Sequence, residues 1–192
     1  MVSENPEGSA ITGKNPKTVG TVDEELKKIY KEMKARAADV PEYIRLLKTG
    51  SLLERRKSAE ALGEIGDERG VLPLISALSD SSTTVQYVAA KSLGMLADKR
   101  AVDPLISLTR SEDKWVRLGA AHALGLIGDK KAVDAILPLL TDTHHDLRVH
   151  AAWALGKLMD ARAVESLKPL LEDPKEDVRT EAKAALGLLG VR

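Results

Sequence analysis

The chain has 192 residues, no cysteine, and 29 basic against 29 acidic side chains. That balance excludes a global basic field suited to nucleic acid or an anionic membrane, and the missing cysteines exclude a disulfide framework and thiolate metal sites. No stretch reaches the roughly 18 apolar residues of a membrane span, and the start, MVSENPEGSA, has no basic region followed by an apolar run, so a cytoplasmic protein without membrane association is expected.

Residues 1–20 are rich in Gly, Pro, Ser, Asn and Lys without periodicity and read as a disordered tail. A helical array is expected over 21–192, with 21–50 as a diverged N-terminal cap repeat. Thr21 and Glu24 form a capping box ahead of a helix in which Val22, Leu26, Ile29, Tyr30, Met33 and Ala37 recur at helical spacing, and that helix should end before Pro41. PEYIRLLKTG (41–50) aligns one period ahead of LPLISALSDS (72–81), which puts Ile44 in register with Ile75 and Leu47 with Leu78.

From residue 51 onward a long helix recurs. LERRKSAEALGEIG (53–66), TVQYVAAKSLGMLA (84–97), WVRLGAAHALGLIG (115–128), DLRVHAAWALGKLM (146–159) and DVRTEAKAALGLLG (177–190) align without a gap, and Gly63, Gly94, Gly125, Gly156 and Gly187 stand 31 residues apart. A second helix follows Asp67, Asp98, Asp129 and Asp160. Pro73 and Pro104 fall in its first turn, whereas Pro138 and Pro169 lie deeper and should delay or kink it. Gly66, Gly128 and Gly190 suit left-handed C-terminal caps. A fixed period of this length is the signature of a stacked repeat array, hence an all-α solenoid.

At about 100° per residue, comparison of the copies sorts the long helix into faces. Val85, Val116, Leu147 and Val178, together with Leu62, Leu93, Leu124, Leu155 and Leu186, are nearly constant and mark the core. The opposite arc varies from copy to copy, and it carries Tyr87, Lys91, Met95, Leu118, His122, Leu126, His150, Trp153 and Lys157, with Trp115 where its helix begins. Small residues flank both arcs, which allows neighbouring helices to approach closely and explains glycines that each cost about 1 kcal/mol inside a helix. Trp153 is thereby expected to point outward. Lys183 replaces the flanking alanine of Ala59, Ala90, Ala121 and Ala152, as expected if no further repeat packs beyond it.

The pattern DxxVRxxAAxALGxIGDxRAVxPLIxLL, present in five copies across roughly residues 51–192, resembles the short HEAT-like repeats named after phycobilisome lyases. The resemblance implies a right-handed α-solenoid of helical hairpins whose VRxxAAxALG helix lines the concave surface and binds partners through its variable positions. The family also contains chromophore lyases and the di-iron enzyme deoxyhypusine hydroxylase, which carries a His-Glu pair directly ahead of the two alanines. The corresponding pairs here are Arg56-Lys57, Tyr87-Val88, Leu118-Gly119, Val149-His150 and Thr180-Glu181. None matches, so neither catalysis nor a cofactor is expected.

His144 and His145 read as solvated loop residues, because their spacing lacks the one-face geometry of a metal site. The columns Arg55, Arg117, Arg148, Arg179 and Asp67, Asp98, Asp129, Asp160 read as inter-repeat hydrogen bonds tying turns to neighbouring helices. On the variable stripe Arg56, Lys57, Lys91 and Lys157 alternate with Glu60, Glu64, Asp146, Asp177 and Glu181, which is no basic track for nucleic acid. The expected function is a non-catalytic scaffold that binds a protein or peptide through Tyr87, Lys91, Met95, Trp115, Leu118, His122, Leu126, His150, Trp153 and Lys157. A homodimer through the same strip, an accessory role in chromophore or enzyme maturation, and nucleic-acid binding are the alternatives.

Overall fold

The computed structural model describes residues 38–191. The expected tail over 1–20 and the helix begun at Thr21 lie outside these residues. Among the described residues ten α-helices alternate in length: α1 (Val40–Thr49), α2 (Leu52–Ile65), α3 (Val71–Ala77), α4 (Thr83–Leu96), α5 (Val102–Leu108), α6 (Lys114–Ile127), α7 (Val133–Ile136), α8 (His145–Leu158), α9 (Val164–Leu167) and α10 (Glu176–Leu188). No strand occurs among the described residues, and none of their helices is long and apolar enough to cross a membrane.

The signals that begin and end these helices repeat with the sequence. Ser51 and Glu54 make a reciprocal capping box at the start of α2, and Asp113 caps α6 by accepting from the N–H groups of Trp115 and Val116. Asp67, Asp98, Asp129 and Asp160 each open a 3₁₀ turn by accepting, at 2.8–3.0 Å, from the backbone N–H two residues on. Gly66 and Gly128 end α2 and α6 with φ of 74°, and Ala97 and Met159 adopt the same left-handed conformation at 51° and 49° despite their Cβ atoms. Pro138 and Pro169 act where they lie deepest: α7 stops at Ile136 and α9 at Leu167, each continuing as a 3₁₀ segment, because proline has no N–H and its ring crowds the carbonyl four residues back.

The core is built from two interlocking series of the same period. Leu62, Leu93, Leu124 and Leu155 of the long helices and Leu74, Leu105, Ile136 and Leu167 from the short-helix side are all at 0% exposure. Each such side chain contributes about 2 kcal/mol of transfer free energy. Between long helices, the spacing is set by glycine. A Cβ at Gly94 would stand 2.8 Å from the Cα of Ala123, one at Gly125 2.9 Å from that of Ala154, and one at Gly156 3.0 Å from that of Ala185. The long helices therefore pack directly on one another along the array. Gly187 has no such neighbour within 4 Å, and Lys183 on the same helix is exposed.

Hydrogen bonding across the repeats corrects one expectation. The aspartates of the 3₁₀ turns do not reach the arginine column; Asp67, Asp98 and Asp160 are held by Arg69, Arg100 and Arg162 of their own turns. The arginine column instead grips a second set of aspartates in the loops ahead of the next long helix, Arg55 with Asp80, Arg117 with Asp142 and Arg148 with Asp173. Each arginine also donates to carbonyls of its own preceding loop, such as Gly50 or Asp142. Gln86, in the same column, donates to the Asp80 carbonyl at 2.6 Å.

Candidate partner-binding face

The variable arc of α4, α6 and α8 forms the outer surface of the long-helix layer, and its side chains fall into three groups. Met95, Trp115 and Leu126 are exposed at 50%, 51% and 41%. Lys91 and Lys157 are also exposed. Tyr87, His122, His150 and Trp153 are half-buried, packed against one another and against the helices below. Leu118 departs from the expected outward position: at 7% exposure it joins the core cluster.

Both half-buried aromatic rings lie over glycines of α6. The Tyr87 ring sits where a Cβ on Gly119 would be 2.9 Å from its Cδ2, and the Trp153 ring sits where a Cβ on Gly125 would be 2.7 Å from its Cζ3. Tyr87 thus leans forward from α4 and Trp153 leans back from α8, so the outward tryptophan expected from helical angle is instead laid along the surface. Trp153 stacks on His122 with centroids 4.6 Å apart and planes 14° apart, and His122 meets His150 edge-on at 5.8 Å. Tyr87 meets Trp115 edge-on at 6.5 Å, with the Lys114 ammonium 4.7 Å from the Trp115 ring centre and the Lys157 ammonium 5.8 Å from that of Trp153.

Beside the Tyr87 ring lies a recess of about 180 Å³ lined by Tyr87, Lys91, Leu118, Gly119, His122 and His150. His150 Nδ1 lies 2.8 Å from the Asp146 carbonyl and therefore donates to it. Burial, with smaller contributions from His150 and Lys91, pushes the His122 imidazole below its ordinary pKa and keeps it neutral at pH 7. Angular sorting missed the part played by Gly119. Gly119 stands in a column otherwise filled by Lys57, Val88, His150 and Glu181, and that local loss of a side chain was the available signal.

Outside this recess His144 precedes α8 and bonds Asp142 at 3.0 Å, whereas His145, expected in the loop, is the first residue of α8 and bonds Asp177 at 2.9 Å across the repeat boundary. No group of three or more His, Asp or Glu side chains is arranged to hold a metal ion among the described residues.

The sequence profile of HEAT repeats matches residues 40–115 and 102–187. A chain from the complex of CpcE and CpcF of phycocyanin lyase from Nostoc sp. PCC7120 is 28% identical over 77% of this chain, with a TM-score of 0.72. The match covers 63% of that chain, less than two thirds of its length. An engineered protein is 26% identical over 82% of this chain and 83% of its own, with a TM-score of 0.67. A designed armadillo repeat protein in complex with peptide (KR)4 is 18% identical, covers 92% of this chain and 95% of its own with a TM-score of 0.59, and shares the fold alone. No curated protein sequence matches the chain. With the repeat profile spanning most of the sequence and the stacked helical hairpins it describes now located, the chain belongs to the HEAT-repeat family.

Proposed function

We propose that the chain is a non-catalytic scaffold that binds a protein or peptide along the variable face of its long helices. The observation that carries this reading is the exposure of Met95, Trp115 and Leu126, at 50%, 51% and 41%, on two adjacent long helices. Met95 and Leu126 share a repeat column that is polar on either side of them, at Glu64 and Lys157. Large apolar side chains held in contact with water are costly unless a partner covers them, and aromatic anchors at the centre of a patch typically carry about 2 kcal/mol or more each on binding.

The test compares wild type with a Met95→Glu/Trp115→Glu variant, both substitutions being at exposed positions, in affinity capture from the source cells and in light scattering. Loss of captured proteins at unchanged circular dichroism supports the reading. Equal capture by both proteins overturns it, and a wild-type dimer that the variant dissolves reassigns the face to self-association.

A second reading rests on the 28% identity to a chain of the CpcE–CpcF complex. It makes this chain one member of a two-chain accessory factor, with a second repeat chain on the same face. Native mass spectrometry of the protein purified from its own cells distinguishes a stoichiometric repeat-protein partner from a set of unrelated clients.

A further inference from the structure

The recess at the centre of the variable face has a charge and hydrogen-bonding character unlike the surface around it. Its lining has one ammonium, Lys91, two imidazoles and no carboxylate. Lys91 makes no ion pair among the described residues, whereas Arg55 pairs with Asp80, Arg56 with Glu60, Lys114 with Asp146, Arg117 with Asp142 and Arg148 with Asp173. Nδ1 of His122 is buried and is the one buried side-chain nitrogen or oxygen left without a hydrogen-bond partner among the described residues. A buried polar atom in that condition is costly, and the cost is relieved when a ligand supplies the missing partner.

The recess exists because of one residue. Gly119 removes the side chain that Val88 or His150 would place there, and Tyr87 is turned onto the vacated backbone. The remaining volume, about 180 Å³, is close to that of a cavity able to hold one benzene ring, about 150 Å³. It has room for one side chain. Apolar walls from Leu118 and Tyr87 lower the local dielectric and strengthen any charge pairing made inside.

We propose that this recess receives the carboxylate side chain of one aspartate or glutamate of a partner peptide lying along the long-helix face. The carboxylate accepts from the His122 imidazole N–H and balances the Lys91 ammonium; a neutral amide of the same shape would leave that charge unmatched. The proposal rests on the peptide-binding reading above and names the feature of the peptide that this face selects.

The experiment pans a phage-displayed random peptide library against the full chain, then measures a selected peptide and its Glu→Gln or Asp→Asn counterpart by calorimetry. The expected result is an acidic residue at one position of the selected set, an amide penalty of about tenfold in Kd, and a penalty near unity against a Lys91→Gln/His122→Gln variant. Selected peptides without a fixed acidic position, or an amide penalty equal in wild type and variant, overturn the carboxylate assignment and leave the scaffold reading in place. Failure to select any peptide, while folded protein is verified by circular dichroism, overturns both.

Discussion

Arg148 and Asp173 meet across a repeat boundary in a two-pronged contact, Nε donating to Oδ2 and Nη2 to Oδ1, both at 2.8 Å. Their side chains are 13% and 9% exposed, so the pair is largely withdrawn from water and geometrically well matched. Removing one partner strands the other. Arg148→Met is expected to lower unfolding free energy by about 2 kcal/mol, below the 3–5 kcal/mol of a fully buried pair because one edge stays wet. Urea denaturation at pH 7 measures it, and a loss below about 0.5 kcal/mol would show that the contact is ornamental.

The same contact fixes a pH dependence. The Arg148 guanidinium, hydrogen-bonded to Asp173, holds that carboxyl below its ordinary pKa. A folded value below the unfolded one means that the stabilisation is complete above the unfolded pKa, about 3.9, and is lost as pH falls from there through the folded value. Asp173→Asn is therefore expected to be less stable than wild type at pH 6, with the gap closing as pH is lowered below 4. Parallel urea titrations across that range read the effect, and a constant gap would remove Asp173 from the acid response.

Glycine positions of one sequence column should respond in opposite directions. Gly94→Ala puts a Cβ 2.8 Å from the backbone Cα of Ala123, which cannot move without separating two helices; a loss of about 1–3 kcal/mol is expected, as for other overpacked sites. Gly187→Ala meets nothing within 4 Å and replaces a poor helix former by the best, for a gain of up to about 1 kcal/mol. Thermal melts of the two variants moving in the same direction would contradict the packing account.

That contrast marks how far the sequence could be read. Period, helix faces, core columns and left-handed caps were legible because each depends on local chemistry repeated five times, so averaging over copies exposes it. The arginine partners were not, because the aspartates that hold them lie 25 residues away in loops, and the turn aspartates made a more regular but misleading column. Ring directions were hidden too. Helical angle places Trp153 outward, but whether its ring stands up or lies over Gly125 depends on a neighbouring helix, and Leu118 is buried for the same reason.

The stack of His122 on Trp153, at 4.6 Å, offers an internal reporter. Burial lowers the His122 pKa, so its neutral form favours the fold; that contribution is full above the unfolded pKa of about 6.5 and declines as pH falls through the folded value. A protonated imidazole stacked on an indole quenches its fluorescence. In a Trp115→Phe background, emission from Trp153 is expected to fall as pH drops through the lowered His122 pKa, below the ordinary imidazole value, while far-ultraviolet circular dichroism stays constant, and His122→Gln should abolish the fall. An unchanged titration in that variant would show that another group quenches Trp153.

One repeat breaks the arginine ladder at both ends. Gln86 replaces the arginine, and Ser111, 25 residues on, replaces the aspartate that the arginine would grip. The two changes belong together: arginine at 86 alone would lack its carboxylate, and aspartate at 111 alone would be a partly withdrawn charge facing an amide. Ser111 already accepts from the Asp113 N–H as Asp80, Asp142 and Asp173 accept from the N–H two residues on, so the loop conformation suits an aspartate. Gln86→Arg/Ser111→Asp is expected to restore the contact with a favourable coupling energy of about 1–2 kcal/mol in a double-mutant cycle, while neither single change stabilises the protein. Zero coupling would mean that the ladder's geometry at this boundary differs from its neighbours. A positive result would show that this boundary gives up stability that the other boundaries retain.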